Sequence, residues 1–129
     1  MKEDYFEMNE LACGCRRQWK IDVNDSIDIF TLAINKMKNL TIVFKKMDDD
    51  LSGACLKLDK ENIIFVNSKH RKGRQAFTIA HELYHLKYDE NNFNICALNS
   101  DDEIEKKADL FASCLIMPHG ALESYKLNN

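Results

Sequence analysis

The chain has 129 residues, 45% hydrophobic and 30% charged, a balance that suits one ordinary globular domain with a real core. Its formal net charge of −3 gives no general attraction to nucleic acid or to acidic membrane surfaces. No apolar run approaches the roughly 18 residues of a membrane span, and the acidic start Met1-Lys2-Glu3-Asp4-Tyr5 lacks the apolar stretch of a signal peptide, so a cytoplasmic protein is expected.

The five cysteines (Cys13, Cys15, Cys55, Cys96 and Cys114) are odd in number and scattered, and read as reduced thiols rather than a disulfide framework. Cys13-Gly14-Cys15 lacks the C-x₂₋₄-C spacing and the second pair that a structural zinc site uses. With four glycines, one proline and no repeat, nothing marks a linker, and a single domain is expected over residues 1–129.

Residues 1–38 are predicted to hold two helices. Tyr5, Phe6, Met8, Leu11 and Ala12 outline the apolar side of the first, from about Glu3 to Trp19. Asn24 or Asp25 can cap the second, which runs to about Met37 with Ile27, Phe30, Ala33, Ile34 and Met37 facing inward. Residues 40–67 read as strands. Leu40–Phe44 is β-branched and aromatic, Ala54–Leu58 is a short second strand, and Ile63–Asn67 a third. Turn chemistry at Asp48–Gly53 and Asp59–Asn62 separates them. Connections this short predict an antiparallel three-stranded meander packed against helices, an α+β fold. The acidic run Asp48–Asp50 lacks the spaced oxygen ligands of a calcium loop and reads as a solvated turn.

A helix over residues 71–88 carries His81-Glu82-Leu83-Tyr84-His85, the pattern H-E-x-x-H. Histidines four apart share one helix face, with Cβ atoms roughly 5–6 Å apart, close enough to grip one ion. Zinc binds imidazole nitrogen at roughly 2.0–2.1 Å, so His81 and His85 supply half of a tetrahedral site. Glu82 sits beside that face, where a carboxylate can take a proton from water on the metal. This is the arrangement of a metalloprotease.

After the polar stretch Asp89–Asn92, Ser100-Asp101-Asp102-Glu103 has the form of a capping box and opens a helix over residues 100–117. Ile104, Ala108, Phe111, Ala112 and Leu115 form one predicted buried face of that helix. Pro118 ends it, and a short final helix over Ala121–Lys126 follows.

A catalytic zinc takes three protein ligands and a water. The extended motif with a third histidine is excluded, because Tyr88 and Asn91 stand where its Gly and His would be. The third ligand should therefore be a carboxylate from the later helix, among Asp101, Asp102, Glu103, Glu105 and Asp109. Glu103 serves the capping box, and Glu105 and Asp109 share the stripe beside the core face, which favours Glu105 as ligand. Asp109, one turn on, is placed to accept the free ring N–H of a ligating histidine.

From about Leu40 to Pro118 the sequence resembles the ImmA/IrrE-type metallopeptidases, zinc enzymes of bacteria and their mobile elements. The likeness rests on Leu51-Ser52-Gly53-Ala54-Cys55, on Ile63-Ile64-Phe65-Val66-Asn67, and on Arg74-Gln75-Ala76-Phe77-Thr78-Ile79-Ala80-His81-Glu82-Leu83-Tyr84-His85. It closes with Glu105-Lys106-Lys107-Ala108-Asp109-Leu110-Phe111-Ala112 and Leu115-Ile116-Met117-Pro118. The resemblance implies a small zincin-like metalloprotease core, Zn²⁺ as cofactor, Glu105 as third ligand, and a helix-turn-helix repressor as the protein cleaved. Tyr84 stands where the family often has a small residue, and members often extend well past the Met-Pro segment, whereas this chain stops at Asn129. That short end motivates an alternative, a zinc-containing regulatory binding module with little proteolysis. A zinc-stabilised structural domain is a third reading, for which four protein ligands are the rule.

The implied chemistry is peptide hydrolysis with Glu82 as general base. A donor for the developing oxyanion is also expected, with His70, Arg74, Tyr88 and His119 as candidates. The basic run Lys69–Arg74 is too short to predict nucleic-acid binding. A peptide substrate is expected to add as a strand to an open sheet edge beside the metal.

Overall fold

A computed structural model describes residues 2–21, 28–98 and 100–116. The elements run α1 (Lys2–Gln18), α2 (Ile29–Lys36), β1 (Leu40–Lys45), β2 (Leu51–Lys57), β3 (Asn62–Asn67), α3 (Lys72–Tyr88), β4 (Phe93–Ala97) and α4 (Glu103–Ile116). The strands form one mixed sheet in the order β1-β3-β2-β4. β2 pairs antiparallel with both β3 and β4, while β1 runs parallel to β3.

The α+β class stands, but the antiparallel three-stranded meander is corrected on two counts. A fourth strand, β4, joins in a stretch for which the sequence predicts no element, and β1 lies beside β3 rather than β2. The reason is in the connection between β1 and β2. These strands lie two spacings apart, about 10 Å, which a five-residue segment (46–50) spans easily. A short turn therefore does not demand that its strands be neighbours. The crossover is held by Asn67, fully buried at the end of β3. Its Nδ2 donates to the Asp48 and Leu51 carbonyls at 3.0 and 2.8 Å, and its Oδ1 accepts from the backbone N–H of Met47 and Lys69 at 3.2 and 3.0 Å.

α3 packs against β2 and β3 and also against α4, which in turn packs on α1. Cys55, Ile64 and Val66 from the sheet, Ile79 and Leu83 from α3, Phe111 and Leu115 from α4, and Met8 and Ala12 from α1 make one continuous core. Arg16, also buried, reaches across from α1 to donate to the Leu115 carbonyl at 2.7 Å. The close approach of α3 to the sheet depends on Gly53. A Cβ there would stand 2.3 Å from the Phe65 carbonyl oxygen and 2.7 Å from Thr78 Cγ2, both well inside contact distance.

Other expectations shift by a turn. α2 starts at Ile29, capped by Asp28, whose carboxylate accepts from the Thr31 N–H at 3.3 Å. The candidate caps Asn24 and Asp25, with Ile27, lie outside the described residues. Ile29 and Ala33 face the core, while Phe30 and Ile34 are exposed, as is Phe6 on α1. At α4 the capping box does not form. Asp102 takes that role instead, accepting from the N–H groups of Ile104 and Glu105 at 2.8 and 3.3 Å, and Ser100 accepts from Asp102. Ile104, predicted to be buried, is exposed, whereas Ala108, Phe111, Ala112 and Leu115 are fully buried. Pro118 and the predicted helix Ala121–Lys126 lie outside the described residues. Among those described, no helix is long and apolar enough to cross a membrane.

Candidate metal centre

α3 contains no Pro, and its one Gly lies in the first turn, so the helix runs unbroken beneath the sheet. Every residue from Thr78 to His85 is buried, because the sheet and α4 cover the helix from two directions. Three of these eight, His81, Glu82 and His85, carry an imidazole or a carboxylate, and buried groups of that kind need partners. Their partners define the site.

His81 and His85 turn their Nε2 atoms toward each other, 3.3 Å apart. Glu105 on α4 brings Oε2 to 2.5 Å from His81 Nε2 and 3.2 Å from His85 Nε2. On the far side of each ring a carboxylate holds Nδ1: Asp109 Oδ1 at 2.8 Å for His81, and Asp89 Oδ2 at 2.7 Å for His85. A carboxylate only accepts, so both Nδ1–H groups donate outward to Asp109 and Asp89, and each Nε2 is left facing the Glu105 carboxylate inside the cluster.

The charges are strongly coupled. Burial works against a charged His81, but the hydrogen bonds of Asp109, Cys96 and Glu105 outweigh it and push the imidazole up to about 12. His85 moves in the same direction, against its burial, through Glu105 and Asp89. Burial disfavours a charged Glu105, yet the two imidazoles bring its carboxyl down to about 2. A site that draws protons onto its nitrogens this strongly also draws a cation that can replace them.

Glu82 is fully buried beside this cluster. Its Oε1 lies 3.4 Å from Asn94 Nδ2 on β4, and among the described residues its buried Oε2 has no hydrogen-bond partner. Burial pushes its carboxyl up to about 7, with the His81 and His85 charges pulling the other way. The Cys55 thiol faces the same carboxylate and is itself pushed up by burial.

The donor set fits a divalent metal. The three inward atoms of His81, His85 and Glu105 lie within 4.8 Å of one another. Ligands about 2.0–2.1 Å from a tetrahedral zinc stand roughly 3.3 Å apart. Two of the three separations are 3.3 and 3.2 Å, and the third is tighter at 2.5 Å. The unpartnered Oε2 of Glu82 supplies the polar atom through which an ion and its water would be felt.

The candidate oxyanion donors are engaged elsewhere. His70 Nε2 lies 3.2 Å from the Asp49 carbonyl, where it buttresses the crossover. Arg74 lies over the Phe77 ring and reaches Ser52 Oγ at 3.5 Å. The Tyr88 hydroxyl stands 3.8 Å from Cys15 Sγ on α1, and its ring packs on Phe111. His119 lies outside the described residues. Tyr84 packs on Phe111 and meets the His85 ring edge-on.

Four site residues escape sequence reasoning: Asp89, Asn94, Cys55 and Cys96. Asp89 carries a usable signal, a carboxylate four residues after His85 on the same helix face. Asn94 and Cys96 reach the site through pairing of β4 with β2, and Cys55 through packing of β2 on α3, neither of which a lone sequence displays.

The sequence model of a peptidase family, described as the IrrE N-terminal-like domain, matches residues 26–128, which include the H-E-x-x-H helix and Glu105. No curated protein matches the chain. The family match covers most of the chain and spans His81, Glu82, His85 and Glu105, and the protein belongs to the IrrE N-terminal-like peptidase family.

Proposed function

We propose that the protein is a zinc-dependent endopeptidase, with His81, His85 and Glu105 as metal ligands and Glu82 as general base. The observation that carries this reading is the pairing of three inward donors with a neighbouring buried carboxylate that keeps one oxygen free. A bound Zn²⁺ supplies a Lewis acid that polarises the scissile carbonyl and acidifies the attacking water.

The protein's own groups do the rest. With the metal bound, Asp109 and Asp89 would hold the Nδ1 protons of His81 and His85 and leave each Nε2 free to serve as a ligand atom. Glu82 takes a proton at Oε2 from the water and returns it to the leaving amine. Burial raises this carboxyl from the ordinary carboxylate range, which favours its taking and returning a proton near neutral pH. Among the described residues β4 is the outermost strand on this side of the sheet, and its edge offers backbone groups to an extended peptide. The family likeness supports a protein substrate, and a helix-turn-helix repressor in a bacterial cytoplasmic setting is our choice for it.

Incubation of candidate repressors with wild-type protein and with Glu82→Gln tests the reading. Cleavage by the zinc-loaded wild type, absent with Glu82→Gln and after chelation, is expected. Equal loss of substrate in both proteins overturns metallo-hydrolysis at this site. Repressor bound by both and cleaved by neither supports the regulatory-module alternative instead.

A further inference from the structure

On the zinc-peptidase reading, we propose that Asn94 is a positioning residue for the general base, holding Glu82 Oε1 so that Oε2 alone faces the reaction. Asn94 Nδ2 lies 3.4 Å from Glu82 Oε1, while Oε2 has no hydrogen-bond partner among the described residues. The two oxygens of a free carboxylate are equivalent and exchange by rotation about the last side-chain torsion, which is broad. A donor on one oxygen removes that equivalence and fixes the orientation of the other.

The way β4 presents its side chains supports the assignment. Asn94 pairs with Cys55 across the sheet and so shares the inner face with Cys55 and Cys96. Phe93 and Ile95, the bulky apolar residues of the strand, point outward and are 55% and 51% exposed. A strand chosen for packing alone would turn those two inward and leave the asparagine in water. Instead the chain gives up apolar burial at two positions and places an amide against a buried carboxylate. An amide suits the task. It donates a hydrogen bond without carrying a charge, so it orients Glu82 without the strong acidification that a lysine or arginine would cause. General-base geometry tolerates little error, so losing such a tether acts on the chemical step rather than on the fold.

The test uses zinc-loaded full chain and acetohydroxamic acid, which chelates a divalent metal through two oxygens and offers a proton to a neighbouring carboxylate. Calorimetry compares wild type, Asn94→Leu, Glu82→Ala and the double variant, with Asn94→Ala as a second substitution in case leucine disturbs the fold. Asn94→Leu or Asn94→Ala should weaken binding about tenfold where Glu82 is present, the loss expected when a hydrogen bond to a charged group is removed. In the Glu82→Ala background the same substitution should change nothing, because Asn94 acts only through that carboxylate. An equal loss in both backgrounds, or no loss in either, overturns the positioning role. Failure of the zinc-loaded wild type to bind the hydroxamate overturns the zinc-peptidase reading and this proposal with it. Binding by wild type and by every Asn94 variant alike overturns the positioning role alone.

Discussion

His85 Nδ1 and Asp89 Oδ2 lie 2.7 Å apart across the last turn of α3, and the aspartate side chain is only 7% exposed. Its other oxygen accepts from the Asn91 N–H at 3.1 Å. Burial would raise its carboxyl, but the Asn91 N–H and the His85 ring outweigh it and hold it below the usual range. Asp89 is thus a fixed acceptor that sets the tautomer of a proposed ligand. Asp89→Asn should weaken zinc binding about 10–100-fold, the range found when such partners of ligating histidines are replaced. Asp109 performs the same service for His81 but is 57% exposed, so Asp109→Asn should cost less. Competition titration with a chromophoric zinc chelator measures both.

The shifted groups predict how pH governs the metal. In zinc-free protein His81 is raised above its ordinary 6.5 to about 12, so its contribution to stability is complete below 6.5 and is lost as pH rises through 12. Glu105 is lowered from 4.5 to about 2, so its contribution is present above 4.5 and is lost as pH falls through 2. Glu82, raised from 4.5 to about 7, favours the fold below 4.5 and loses that effect as pH rises through 7. Zinc must displace the protons on both imidazoles, so its affinity increases with pH. The gap in Tm between zinc-loaded and chelator-treated protein should widen from pH 6 to pH 8. Calorimetric melts at both pH values check this, and a constant or narrowing gap contradicts it.

Gly53 lets α3 sit close enough to the sheet for Glu82 to meet Cys55 and Asn94. A methyl group there would collide with backbone at the Phe65 carbonyl, which cannot swing away, as well as with Thr78. Gly53→Ala should destabilise the fold by about 2–4 kcal/mol, at the upper end of overpacking effects. Urea denaturation measures it, and a loss below about 0.5 kcal/mol would show that α3 can lift off the sheet freely.

The helices were legible because their signals are local. The i, i+4 spacing of His81 and His85 dictates a shared face wherever α3 packs, and the stripe of Glu105 and Asp109 beside Ala108 and Phe111 follows from the same period. The sheet was legible only as strands. Nothing in the residues between β1 and β2 distinguishes a hairpin from a crossover, and Asn67, which holds the crossover, reads in sequence as the polar end of a strand. β4 hid because its alternation is inverted, with Phe93 and Ile95 outward and Asn94 inward. Local rules fail there because the inward asparagine meets the buried Glu82 carboxylate, a long-range partner that the local alternation does not reveal. The box at Ser100 and Glu103 gave way to Asp102, two residues nearer the helix than Ser100, which caps without needing a second side chain.

Metal analysis of the purified protein tests the central claim most directly. Zinc-loaded wild type should carry about one equivalent after gel filtration, as a three-ligand site requires. Glu105→Ala should lose that zinc while keeping its fold by circular dichroism, and Asp101→Ala, at an exposed position before α4, should retain it. Zinc retained at one equivalent by Glu105→Ala, or absent from the wild type, would contradict a centre built from His81, His85 and Glu105.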